Sequence, residues 1–110
     1  MLLGFLAKGN NDIRDYLLGE GAHTLLGENC LKLVSSGSDQ NDYAESVYHS
    51  WTLSILAGST LPPGQKICDL NVILSLADTL QKIFLSFSVV ETVANAVEGL
   101  GYLLPLIEIT

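Results

Sequence analysis

Leu53-Ser54-Ile55-Leu56 closes a stretch with helical periodicity, and near-copies stand on either side of it. They are Leu3-Gly4-Phe5-Leu6 and Leu100-Gly101-Tyr102-Leu103. Successive copies lie about 50 residues apart, close to the length of a helical repeat unit. The first two are followed by alanine and a polar loop. A helix end recurring at this distance predicts stacked helices, because one such unit cannot bury its own apolar face. That architecture offers a binding surface rather than an enclosed reaction site.

Around the central copy, Ala44, Val47, Tyr48, Trp51 and Ile55 carry the 3–4 spacing of an amphipathic helix. Asn41-Asp42 can cap it, and it is expected to run to about Ala57. Upstream, Asn10-Asn11-Asp12 marks a helix start, and Gly19-Glu20-Gly21 a stop at which glycine accepts the left-handed conformation of a sharp turn. Residues 22–34 repeat apolar positions at 22, 25, 26, 31 and 34, with Gly27-Glu28-Asn29 as a weak point; residues 35–40 form a loop of small polar residues. Downstream, Pro62-Pro63 requires a loop over 58–64. The next helix starts as early as Gln65 and covers 73–85, residues 86–88 break it, and a last helix runs from Val90 until Pro105 ends it. Residues 84–90 are rich in β-formers, but a lone strand would have no partner. The predicted helices are 12–18, 22–35, 41–57, 72–86 and 90–104, an all-α fold.

The chain has 110 residues and a net charge of −7. This allows one domain and one modest core. With no basic stripe to neutralise phosphates, nucleic acid is not an expected partner. A basic peptide or protein suits the charge, which also serves plain solubility. Cys30 and Cys68 form no CxxC pair, so reduced, buried thiols in an intracellular chain are expected. No apolar run approaches the roughly 20 residues that span a bilayer, and residues 1–6 lack the basic start of a signal peptide. The chain opens inside a repeat motif without a cap, as the remnant of a truncated repeat would.

His23 and His49 share no ligand spacing with either cysteine or a carboxylate, so no metal is expected. Ser36-Gly37-Ser38-Asp39 has no nucleophile-elbow context. Gly19–Gly21 and Gly99–Gly101 lack the third glycine and the preceding strand of a dinucleotide loop. Gly21 reads as turn geometry, and Gly99 and Gly101 as close helix contacts. Nothing assembles a nucleophile, base and oxyanion site, so neither an enzyme nor a cofactor is expected.

Short helix, glycine turn and two longer helices resemble the armadillo repeat. Leu3-Gly4 with Arg14-Asp15-Tyr16, then Trp51-Thr52-Leu53-Ser54, Pro62-Pro63 and Gly101-Tyr102-Leu103, resemble importin alpha in the same order along the chain. That family is similar in having a Trp-Thr-Leu-Ser-Asn helix end before a proline-rich loop, and a later helix end in Ser-Tyr-Leu. The resemblance implies an armadillo-type superhelix fragment of about two to two and a half repeats. Residues 1–8 would be a helix remnant, 10–58 one repeat and 65–104 a second. It also implies an adaptor that binds basic nuclear localisation signals, found in the cytoplasm and nucleus.

In that family the third helix of each repeat lines a groove. Its tryptophans stack on lysines, and asparagines four residues later hold the peptide backbone. Carried over here, the peptide-binding positions are Trp51, Glu98 and Tyr102. Trp51 keeps the tryptophan and Tyr102 agrees with the family. Ile55 replaces the asparagine partner of Trp51, Phe5 that of the preceding repeat, and Glu98 a tryptophan; the acidic position after the asparagine falls on Gly9. The importin-beta-binding segment is not in this stretch, so that partner is not expected. Weak, salt-sensitive peptide binding is expected; the alternative is a degenerate armadillo scaffold that no longer binds such signals. On residue pattern alone Trp51 also reads as a core residue and Glu98 as an ordinary exposed carboxylate. With fewer than three repeats, apolar end faces at 1–6 and 103–107 predict self-association.

Overall fold

The computed structural model describes residues 6–8, 10–35, 40–59 and 70–108. Asn10 starts the first full helix, α1 (Asn11–Gly19), from an extended conformation, and its side-chain oxygen accepts the Ile13 N–H at 3.1 Å. This satisfies one of the donors a helix start leaves bare. The stop is equally local. Gly21 adopts φ +78°, with open space where a side chain would begin, so the residue is required by conformation and not by crowding. Its N–H donates to the Leu18 carbonyl, and its own carbonyl receives the N–H groups of Thr24 and Leu25 at the start of α2 (Ala22–Ser35). The expected short helix and glycine turn are present.

α2 passes without interruption through Gly27-Glu28-Asn29, where a weak point was expected. Gly27 lies directly against the Thr79 methyl, and a β-carbon there would overlap it. The glycine costs α2 some local stability and lets the facing helix come close. α3 (Gln40–Ser54) follows. It ends in a wider π turn over Ile55–Ser59 that closes on Gly58 at φ 130°. Hydroxyls of Ser50, Thr52 and Ser54 bond back to the carbonyls of Val47, Tyr48 and Trp51 just before that turn.

α4 (Leu70–Ser86) buries Ile73, Leu76, Leu80 and Ile83, one stripe at helical spacing. A short break at 87–89 leads to α5 (Val90–Glu108). No strand occurs among the described residues, the β-rich stretch around Phe84 included. Pro105 does not end the last helix as predicted. Proline removes the bond to the Gly101 carbonyl and crowds that carbonyl. Gly101 is exposed, so water can serve that carbonyl, and only one further turn depends on the missing bond.

α4 packs most extensively on α5, and α3 on α5 next; α2 touches both α3 and α4. The two longer pairs stack like against like. His23 meets Ser75, and one turn later Gly27 meets Thr79, so α2 and α4 run parallel. Ser46 meets Thr92, Ser50 meets Asn95, and the Ser54 backbone lies beside Gly99, so α3 and α5 also run parallel. The core between the pairs holds Cys30, Leu53, Leu56, Leu76, Leu80, Ile83 and Leu103, all fully buried. The radius of gyration is 13.1 Å, that of a compact all-helical block.

Leu103 therefore belongs to the core and not to an apolar end face. It points inward from the same helix on which Leu104 points outward. Leu6, at the other expected end face, is exposed at 51%; side chains 1–5 and 105–107 lie outside the described residues, as does the Pro62-Pro63 loop.

Candidate functional site

The three candidate residues sit on the two parallel helices α3 and α5. Trp51 is half-buried, packs against the core, and has the Tyr48 ring tilted beside it at a centroid distance of 6.2 Å. Glu98 and Tyr102 are exposed one turn apart on α5, and the Tyr102 hydroxyl donates to Glu98 Oε1 at 3.2 Å. Desolvation first, then the adjacent Glu98 carboxylate, raise the Tyr102 phenol above its usual range, so it remains the proton donor of this pair.

The seam between the helices sets the spacing of these residues. Asn95 Nδ2 donates to the Val47 carbonyl at 3.2 Å and to Ser50 Oγ at 3.1 Å. Ser46 Oγ and Thr92 Oγ1 share a buried hydrogen bond at 2.9 Å. Trp51 stands one turn beyond Val47, and Glu98 close to one turn beyond Asn95. Ile55, at the position of the family's asparagine, is buried at 4% exposure and begins the π turn. It cannot offer a peptide backbone a hydrogen bond.

Asn95 has the geometry of a specifying residue and was not singled out in the sequence. A signal for the seam existed. Ser46, Ser50 and Ser54 repeat every fourth residue on α3, and Thr92, Asn95 and Gly99 every third or fourth on α5. Two small stripes on separate helices are what a close parallel seam needs. Gly99 fulfils its expected role: a β-carbon there would stand 2.8 Å from Leu80 Cδ1 and 3.4 Å from the Ser54 Cα. Gly101 does not, since nothing lies within 4 Å of its β-carbon position. Two residues further round the helix, it faces outward.

The buried titratable groups are structural in their surroundings. His23 Nε2 lies 3.1 Å from Ser75 Oγ across the α2–α4 contact, and burial holds its pKa below the usual value. Burial also lowers His49, with Glu45 opposing. Cys30 is fully buried and its thiol is pushed up to about 12, so it is neutral and unreactive in the fold. Cys68 lies outside the described residues. Arg14, 3% exposed, pairs with Asp15 at 2.7 Å.

Among the described residues no three histidine, cysteine or acidic side chains come together as a metal site, and no helix is long and apolar enough to cross a membrane. Comparison with protein-family models, with curated proteins and with solved structures finds no match to this chain.

Proposed function

We propose that this chain is an importin-alpha-like adaptor of the armadillo type, holding a basic, lysine-rich localisation peptide along the flank of α3 and α5. The observation that carries the proposal is the parallel, like-on-like stacking of two helix pairs. It is the arrangement a repeat protein needs in order to present equivalent positions from successive units. Trp51 and Glu98 are such positions, at matching places along the seam. The Trp51 face would cover a lysine stem and ammonium, worth about 0.5–2 kcal/mol. Glu98 would pair with a further cation. On this reading α1, α2 and α3 form one repeat, α4 and α5 the later part of a second, and the protein acts by binding, without catalysis or cofactor, in cytoplasm and nucleus.

Buried Ile55 favours a second reading, an armadillo scaffold that makes protein contacts but has lost localisation signals. Calorimetric titration with a lysine-rich peptide separates the two. The adaptor reading expects weak binding that falls as salt rises, with Glu98→Gln weakening it while leaving the fold intact, and Trp51→Ala weakening it more. No binding to such a peptide at low salt would leave only the scaffold reading. Tight, salt-insensitive binding unchanged in both variants would remove the α3–α5 flank from consideration.

A further inference from the structure

Ala94, Glu98, Gly101 and Tyr102 follow one another at spacings that place them on one stripe of α5. All four are exposed. Ala94 is small, and at Gly101 nothing lies within 4 Å of the position a β-carbon would take. A ligand cation can therefore approach Glu98 over small neighbours on either side. Tyr102 alone of these neighbours carries a polar group, and its hydroxyl donates to Glu98 Oε1 at 3.2 Å. The phenol remains a donor throughout neutral pH, because its pKa lies above the usual value.

That one hydrogen bond distinguishes between the two basic side chains. A carboxylate binds a guanidinium best as a fork, with both oxygens accepting parallel N–H donors in one plane. Glu98 enters such a contact with Oε1 already accepting the Tyr102 phenol. A guanidinium fork must turn the phenol away or settle for a single bond at the other oxygen. An ammonium is a compact charge with three rotatable donors, and one oxygen is enough for it. The phenol oxygen also keeps acceptor lone pairs of its own while its proton is given to Glu98.

We infer that Tyr102 is a specificity-determining residue: by engaging one oxygen of Glu98, it makes that position take lysine in preference to arginine. Tyr102 acts through Glu98 and is a positioning residue. The inference rests on the proposed peptide flank and deepens it, since it names the cation taken one repeat after Trp51. Trp51 does not make this choice, because an aromatic face accepts an ammonium or a guanidinium.

Calorimetric titration of the full chain at low salt tests it with two peptides. They share one sequence, except that every lysine of the first is arginine in the second. Trp51 contributes the same bias wherever it is kept, so the reading is the change in the arginine-to-lysine affinity ratio between variants. Tyr102→Phe keeps the ring and releases Oε1. It should raise that ratio by about two- to fivefold, the scale of one exposed hydrogen bond. Glu98→Gln should weaken both peptides, and on that background Tyr102→Phe should no longer change the ratio. Helical circular dichroism checks that each variant is folded. If both peptides bind and Tyr102→Phe leaves the ratio unchanged, the assignment is overturned while the adaptor reading stands. A Tyr102→Phe effect that persists beside Glu98→Gln overturns it as well, since Tyr102 would then act on the peptide directly. Binding of neither peptide to the wild-type chain removes the flank itself, and this assignment with it.

Discussion

The two flanks of the α4–α5 pair are built by different rules. The flank that meets α2 and α3 is made of small residues: Ser75, Thr79, Thr92, Asn95 and Gly99. Ser75, Thr92 and Asn95 find polar partners across the contact, the Thr79 hydroxyl bonds back to the Ser75 carbonyl, and their size lets the backbones approach. The opposite flank is made of Leu74, Phe84, Leu85 and Leu104, large and only partly covered. Close packing of small residues defines one geometry, because any added atom overlaps a neighbour. Large residues around an open groove define affinity for something apolar, but little about its orientation. Close packing inside the chain and exposed apolar surface outside it therefore come from neighbouring stripes of the same two helices.

The sharpest way to break this comparison is to truncate one leucine on each side. Leu80 is fully buried, whereas Leu85 is 71% exposed. Leu80→Ala should lower unfolding stability by about 2–5 kcal/mol, and Leu85→Ala by under about 0.5 kcal/mol. Urea denaturation of dilute, monomeric samples measures both; similar losses would mean that the groove is not open. Glycine substitutions sharpen the contrast within α5 alone. Gly99→Ala meets Leu80 and the Ser54 backbone and should cost about 1–3 kcal/mol. Gly101→Ala meets nothing and should stabilise the helix by up to about 1 kcal/mol. Opposite signs in thermal melts are expected two residues apart.

Asn95→Ala tests the polar half of the seam. It removes bonds to Val47 and Ser50, with a loss of about 0.5–1.5 kcal/mol for each. Double-mutant coupling with Ser50→Ala should be clearly non-zero, while Asn95 with Asp78 should show none. The smallest expected effect is pH-dependent. Burial depresses His23 and His49 below 6.5, so both are neutral in the fold. The unfolded chain takes up their protons first as pH falls below 6.5. Stability contributed by this pair is complete above that value and declines as pH drops toward the folded-state pKa values. His23→Gln should flatten the decline seen in denaturation midpoints; an unchanged slope would remove His23 as a contributor.

The helices were legible because their signals are local. The Asn10 start, the Gly21 turn and the helix over 73–85 each rest on signals within a few residues, and each appears where the sequence put it. Three features were not legible, because their physics depends on a distant partner or on solvent. Gly27 looked like a helix weakness until Thr79 arrived from the other half of the chain. Asn95 gained meaning only once Ser50 stood opposite. Pro105 looked like a stop, but it falls in the last turn of α5, where few backbone bonds lie beyond it to be lost. For the candidate site, sequence supplied Trp51, Glu98 and Tyr102 through a family pattern. The structure adds the seam that spaces them, and the burial of Ile55 that subtracts from them.

Cys30 has a use beyond its place in the core. Its sulfur is sealed under α2 and stays protonated at any ordinary pH, so an alkylating reagent in solution finds no nucleophile until that helix lifts. The thiol is therefore a built-in clock for local opening. Its labelling rate, assigned to Cys30 by peptide mapping, divided by the rate of an unfolded thiol gives the fraction of time the core is open. Measured with and without a bound peptide, that fraction would report how far the peptide's grip reaches into the fold.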